Sequence, residues 1–290
     1  MSTKSWPVAS LAIFAKTKSF FVSSNDPSAL LIGDVWALVA AAGRGTRMAV
    51  AEPKQYLLLN GEPLLVKTLQ RLASHSRING IVVVVSADDK RFPSLDLTEI
   101  EAQLSYPVVT VIGGQTRSES VARGAGKITD LFAERELNTG NSAVLPWVMV
   151  HDAARPCVRH SDIDLLIEQV DDQGGLLSLE VTDTLWRQDE QLRCVQTLPR
   201  DQLRRALTPQ LFPLGALQDA LASCHKDGFQ PTDEAEAMRH AGFRPRLVVG
   251  SADNIKVTRA GDMELAALFL QRQAVQERSH NLATDLSRLT

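Results

Sequence analysis

The sequence predicts an α/β fold, a mostly parallel sheet with helices on both faces. Three observations carry this. Apolar runs at Val35 to Val39, Ile81 to Val85 and Trp147 to Val150 suit strands covered on both sides. Stretches with helical apolar spacing lie between them, and such alternation implies parallel crossover connections. Strand ends fall at Gly43, Gly114 and Asp152, and in such sheets ligands sit beyond the carboxyl ends of the strands.

In order along the chain, residues 1 to 34 carry Lys4, Lys16 and Lys18 and many serines, with no acid before Asp26. They are expected to be a disordered extension. Their apolar patch is too short for a secretory signal, and the lack of arginine speaks against a plastid transit peptide. From Val35 the first strand runs into a turn at Gly43 and Gly45. Pro63 to His75 is a helix, with Leu64, Leu65, Thr68, Leu69 and Leu72 on one face. Ile81 to Val85 and Val108 to Ile112 are strands, and Ser118 opens the next helix. After the strand at Trp147, Ser161 is expected to cap a helix over Asp162 to Val170. Leu176 to Val181 is again a strand. Thr182 to Thr208 breaks the rhythm: two short runs around Gln188 to Gln191 read as a hairpin. A lone hairpin is marginal in water, so it must pack on something. Helices over Leu214 to His225 and Asp233 to His240, a strand over Arg246 to Val249 and a helix over Gly261 to Gln273 complete a domain of residues 35–275. Residues 276–290 are expected to be a frayed tail.

Composition bounds the function. The chain has 290 residues, 44% of them hydrophobic, enough for one large domain. A net charge of −3 gives no general case for nucleic acid or an anionic membrane as partner. Cys157, Cys194 and Cys224 are odd in number and far apart. They fit neither a disulfide framework nor zinc spacing, which points to a reducing, cytoplasmic setting, or a plastid if the extension is a transit peptide.

The segment from Val35 to Met48 is the chemical centre. Gly43 and Gly45 let the backbone curl so that its amides can face an anion. Two cations follow, Arg47 and Lys54. The dinucleotide fingerprint needs a third glycine where Met48 stands, and the Gly-Lys-Ser/Thr ending of a P-loop is absent, so a dehydrogenase is excluded.

Four blocks narrow the reading: Ala41 to Met48 with Pro53-Lys54-Gln55-Tyr56, Val150 to Pro156, Ala206 to Gln210, and Ala252 to Thr258. Together they resemble the 2-C-methyl-D-erythritol 4-phosphate cytidylyltransferases of the non-mevalonate isoprenoid pathway, over roughly residues 35 to 270. The resemblance implies a Rossmann-like fold of the nucleotide-diphospho-sugar transferase type, with a protruding hairpin arm that clasps the second subunit of a homodimer. It implies transfer of CMP from CTP to methylerythritol phosphate, with Mg²⁺ held mostly by the CTP phosphates and by Asp152.

The residue roles below are likewise what the resemblance implies. Arg47 and Lys54 are the transition-state cations, with Arg200 and Lys256 as further catalytic cations. Ala41, Ala42, Gly43, Gly114, Gln115, Ser120 and Asp152 bind CTP, Gln115 standing where the family often has an acid. Asp152, Arg155, Thr184, Arg200, Thr208, Thr232, Asp233 and Lys256 bind the polyol phosphate, Arg200 from the other subunit. From the residues themselves, Thr232 reads first as a helix cap and His151 as a structural histidine. Rival readings are a cytidylyltransferase for another polyol phosphate, such as ribitol 5-phosphate, and a nucleotide-binding regulatory module without catalysis. A binder has no need of both Arg47 and Lys54.

Overall fold

The computed structural model describes residues 32–43, 53–139 and 145–288. The chain divides into two units, Met1–Leu31 and Ile32–Thr290, and all that follows concerns the second. The expectation for the extension therefore lies, through residue 31, outside the described residues. Ile32 belongs to the domain: its side chain is in the core and its carbonyl accepts a hydrogen bond from Arg77.

Strand β1 (Val35–Ala40) leads to two short paired strands, β2 (Leu58–Leu59) and β3 (Glu62–Pro63), and then to helix α1 (Leu64–Ala73). Strand β4 (Ile78–Val85), helix α2 (Thr98–Glu101), strand β5 (Val108–Ile112) and helix α3 (Arg117–Thr139) follow. Next come β6 (Trp147–Asp152), α4 (His160–Gln169) and β7 (Gly175–Glu180), then the arm strands β8 (Leu185–Gln188) and β9 (Cys194–Leu198). The chain returns in β10 (Arg204–Pro213) and ends with α5 (Leu214–Lys226), α6 (Glu234–His240), β11 (Arg246–Val249) and α7 (Ala260–Arg288).

Seven strands form one sheet in the order β11-β7-β10-β6-β1-β4-β5. β1 pairs in parallel with β4 and β6, β4 with β5, and β7 with β11. The period of two along β1 splits its side chains between two cores. Val35, Ala37 and Val39 face α1 and α4, whereas Trp36 and Leu38 face α3, α5 and α6. β4 alternates in the same way and begins three residues earlier than its valine run suggests. Gly80 explains the gap in that run: a Cβ there would stand 2.7 Å from the Trp36 ring, so only glycine admits the indole.

The mostly parallel sheet with helices on both faces is thus present, with one departure. β10 lies between β6 and β7 and is antiparallel to both. Its sequence holds Pro209 and Pro213, which argue against a central strand. The ladder tolerates them because its register shifts between Ala206 and Gln210, around the cis Thr208–Pro209 bond, and because Pro213 closes the strand opposite Trp147.

Two further expectations are corrected. Ser161 does not cap α4: the helix starts at His160 after Arg159, with no side-chain cap, and the Asp162 carboxylate accepts instead from the amide and hydroxyl of Ser251. The segment after residue 275 is not a frayed tail, since α7 runs on to Arg288. Arg159 donates to Gln276, and Arg71 to Glu277, so the helix is anchored beyond the point where its apolar pattern fades.

β8 and β9 form a two-stranded sheet of their own. Trp186, Leu192, Val195 and Leu203 are exposed on this arm. Its two ends are neighbours, because Arg204 pairs with Glu180 in the β10–β7 ladder. No described helix is long and apolar enough to cross a membrane.

Candidate active site

A cleft of about 320 Å³ opens where β1 and β6 end and the loop after β5 begins. Backbone packing shapes one wall. The Ala41 amide donates to Val84 O at 2.9 Å, and the buried Gln55 side chain donates to Ala41 O, also at 2.9 Å. Ala41 is therefore fixed at the mouth of β1, and Ala42 and Gly43 line the cleft beside it. Arg47 lies outside the described residues. Lys54 lines the cleft, and its Nζ donates to Val257 O at 3.2 Å.

The opposite wall is the turn from β5 into α3. The Ser120 hydroxyl accepts from the Gly114 amide at 3.1 Å and donates to Thr116 O, and the Glu119 carboxylate accepts from the Gln115 amide at 2.8 Å. Gly114 permits this closure. A Cβ on it would lie 2.4 Å from Glu119 Cβ. Gly114, Gln115 and Ser120 thus stand together on the cleft wall.

Asp152 forms the floor at the end of β6. It is 8% exposed. Lys256 Nζ stands 2.9 Å and Arg155 Nε 3.3 Å from its Oδ2, while Arg117 Nη2 stands 3.7 Å from Oδ1. Burial alone would raise its pKa, but Lys256, Arg117 and Arg155 outweigh burial and hold the carboxyl well below the usual range. Behind it, His151 is fully buried, and burial pushes its pKa down to about 4. It is therefore neutral at pH 7, with one N–H to give. Arg155 O, 3.0 Å from Nε2, can only accept, so Nε2 carries the proton and Nδ1 accepts from the Thr208 hydroxyl at 3.0 Å. That hydroxyl oxygen in turn accepts from the Asp152 amide at 3.1 Å. His151 and Thr208 thus brace the floor from beneath.

The segment carrying Lys256 is stapled to the same place. Val257 N donates to Ala154 O, Arg155 Nη1 to Asn254 O and Asn254 Nδ2 to Thr208 O, each between 2.7 and 2.9 Å. Sequence blocks around positions 152, 208 and 256 thus meet through backbone acceptors that no residue pattern announces.

Several expected residues lie away from the cleft wall. Arg155 is buried behind Asp152. Thr184 is exposed on the arm, and Arg200 is exposed after β9 and donates to Thr182 O. Thr232 is not the cap of α6. Asp233 is, through its Oδ1 and the Glu236 amide, while Glu236 accepts from both the amide and the hydroxyl of Thr232. Asp233 Oδ2 accepts from Gln210 at 3.0 Å, which ties α6 to β10.

Sequence reasoning missed Arg117, which lines the cleft, contacts Asp152 and donates to the buried Glu234. A signal existed. Thr116 accepts from the Glu119 amide as a cap, which places a cation on the first residue of a helix, where the dipole disfavours it.

A family model described as 2-C-methyl-D-erythritol 4-phosphate cytidylyltransferase matches residues 35–272. A 2-C-methyl-D-erythritol 4-phosphate cytidylyltransferase of Haemophilus influenzae is 44% identical over 236 residues, covering 81% of this chain and 96% of that protein. One from Tolumonas auensis is 43% identical, covering 83% and 98%. Among solved structures, a 4-diphosphocytidyl-2C-methyl-D-erythritol synthase superposes with a TM-score of 0.65 at 33% identity, covering 82% of this chain and 99% of that one. The Francisella tularensis enzyme gives 0.64 at 30%, covering 82% and 100%. The matched span takes in the glycine turn, the Asp152 floor and the Lys256 segment together, and the chain belongs to the 2-C-methyl-D-erythritol 4-phosphate cytidylyltransferase family.

Proposed function

We propose that this chain transfers the CMP group of CTP to 2-C-methyl-D-erythritol 4-phosphate in isoprenoid precursor biosynthesis. A phosphate oxygen of the monoester attacks the α-phosphorus. The bond from that phosphorus to the bridging oxygen breaks, and pyrophosphate leaves. The nucleophile is already anionic, so no protein base is required. The work is to bring two anions together and to stabilise charge growing at phosphorus, which is positioning and electrostatics. One observation carries the reading: Asp152, clamped by Lys256, Arg155 and Arg117, shares a cleft with Lys54 and with the Gly114–Ser120 turn.

In this reading Lys54 and Arg47 meet the triphosphate, and Gly114, Gln115 and Ser120 hold the cytosine end. The Gln115 carbonyl accepts from the cytosine amino group, more weakly than a carboxylate does. Lys256 and Asp152 hold the acceptor. Thr232 and Asp233, at the head of α6, are assigned to the acceptor by the family resemblance; their own bonds here run to Glu236 and, from Asp233, also to Gln210. The exposed arm clasps a second copy of the chain and carries Arg200 and Thr184 into its site. The apolar exposure of Trp186, Val195 and Leu203 supports that role.

Mg²⁺ fits this donor set. Among the described residues no three His, Cys, Asp or Glu side chains gather to hold a metal. The hard Asp152 Oδ1 has Arg117 only at 3.7 Å, so it can add one ligand to an ion held mainly by phosphates. Mg²⁺ would supply charge neutralisation at the triphosphate. The unpaired Cys157, Cys194 and Cys224 support a cytoplasmic location.

The test is pyrophosphate release from CTP with methylerythritol phosphate, run beside ATP, GTP and UTP and beside ribitol 5-phosphate. Faster turnover with another nucleotide or with ribitol 5-phosphate would overturn the assignment.

A further inference from the structure

Arg117 is placed where a helix terminus disfavours it, yet its guanidinium points inward and spans two carboxylates from distant elements. Nη1 donates to Glu234, the first residue of α6, and Nη2 faces Asp152. Glu234 is 1% exposed and is not among the residues lining the cleft. Its Oε2 is buried without a hydrogen-bond partner among the described residues. Burial pushes the Glu234 pKa up, while Arg117 pulls against it. Glu234 is buried while the Arg117 side chain is 30% exposed, and replacing a buried ion pair by apolar residues is often neutral or stabilising, so the pair is weak evidence of a stabilising role. Its position suggests another use. Arg117 continues the turn of Gly114, Gln115 and Ser120, and Glu234 directly follows Thr232 and Asp233.

We propose that Arg117 is a positioning residue, anchored by Glu234, that fixes Asp152 and ties the nucleotide-binding turn to the head of α6. The proposal rests on the cytidylyltransferase reading and adds the part that couples its two substrate halves. Glu234 acts only through Arg117. Without its anionic anchor the guanidinium loses direction, and Asp152 keeps Lys256 and Arg155 but loses its third cation.

The experiment is a kinetic cycle of Glu234→Gln, Arg117→Gln and the double variant, with kcat and both KM values measured per folded molecule. Glu234→Gln should lower kcat/KM for methylerythritol phosphate roughly tenfold, as loss of an outer partner of a functional carboxylate does. The double variant should match Arg117→Gln within about twofold, because the two residues act as one unit. A merely structural pair would lower the melting temperature and leave kcat and KM per folded molecule unchanged. Wild-type kinetics in Glu234→Gln, or effects that multiply in the double variant, would overturn the proposal. If Glu234→Gln does not fold, Arg117→Lys decides. It keeps the charge but not the fork, so it should show the same tenfold loss, and wild-type kinetics there count against the proposal. A wild type that releases no pyrophosphate would strike the parent reading. An active wild type with an indifferent Glu234→Gln would strike this one alone.

Discussion

Replacing Asp152 by Asn removes one charge and almost no volume, so it isolates the electrostatics of the cleft floor. Three cations then face one another without their shared anion. Breaking a buried pair from one side costs about 3–5 kcal/mol. Two facts place this case at the low end. Arg155, though 8% exposed, keeps its 2.7 Å bond to Asn254 O. The Lys256 side chain is 36% exposed and can turn to water, so its share is small. A loss of about 3 kcal/mol in a domain of this size corresponds to a fall of about 6–12 °C in Tm. Differential scanning fluorimetry at pH 7 reads it directly. Saturating CTP should narrow the gap, because its phosphates replace the missing anion. Acid gives a second check. The folded pKa of Asp152 lies below its unfolded value of about 3.9. The carboxylate therefore stabilises the fold above that pH, and the advantage is lost as pH falls toward the folded value. The gap should hold from neutrality down to about pH 5 and close below about pH 4. A variant melting within about 2 °C of wild type at pH 7 would refute the clamp.

Further outcomes are expected. Lys54→Ala should fold normally and lose roughly 10²- to 10³-fold in turnover, the usual effect of removing one preorganised electrostatic donor; near-normal turnover would take Lys54 out of the mechanism. Mixing Lys54→Ala with Arg200→Ala should restore up to a quarter of wild-type activity. Half of randomly exchanged dimers are mixed, and each holds one intact site; mixed dimers shown to form yet remaining inactive would confine Arg200 to its own chain. His151 has a folded pKa of about 4 against about 6.5 unfolded, so the unfolded chain binds the extra proton first and stability drops as pH falls through that window. The drop is on the order of 3 kcal/mol, and His151→Gln should flatten it; an unchanged pH profile of Tm would show that His151 does not titrate in this way.

Much of the fold was legible because the parallel strands are buried on both faces and so read as unbroken runs. Val35 to Val39 and Ile81 to Val85 are such cases. β10 was not legible. Its middle is Thr208, Pro209 and Gln210, polar or donor-poor residues that a central strand normally rejects. They are tolerated because Thr208 bonds to Asp152 and His151, and Gln210 to Asp233 and the Ala235 amide. In the site, Asp152 could be found by its place at a strand end, and Lys54 by its place after a glycine turn. The Arg117–Glu234 tie joins positions 117 residues apart, and no local pattern carries such a distance. The cap of α6 moved by one residue from Thr232 to Asp233 because Glu236 claimed the threonine hydroxyl.

Glu180 and Arg204, being partners in one ladder, make the arm a detachable cassette. Residues 181–203 leave the sheet and rejoin it at the same point, so a two-residue Asn-Gly turn could close β7 directly onto β10. The strands that hold the core would keep their register. Excision would thus remove the exposed Trp186, Leu192 and Val195 and leave the cleft around Asp152 in place, and a different loop could be grafted at the same junction. One junction thus separates the arm from the sheet around Asp152, so the one can be altered while the other stays as it is.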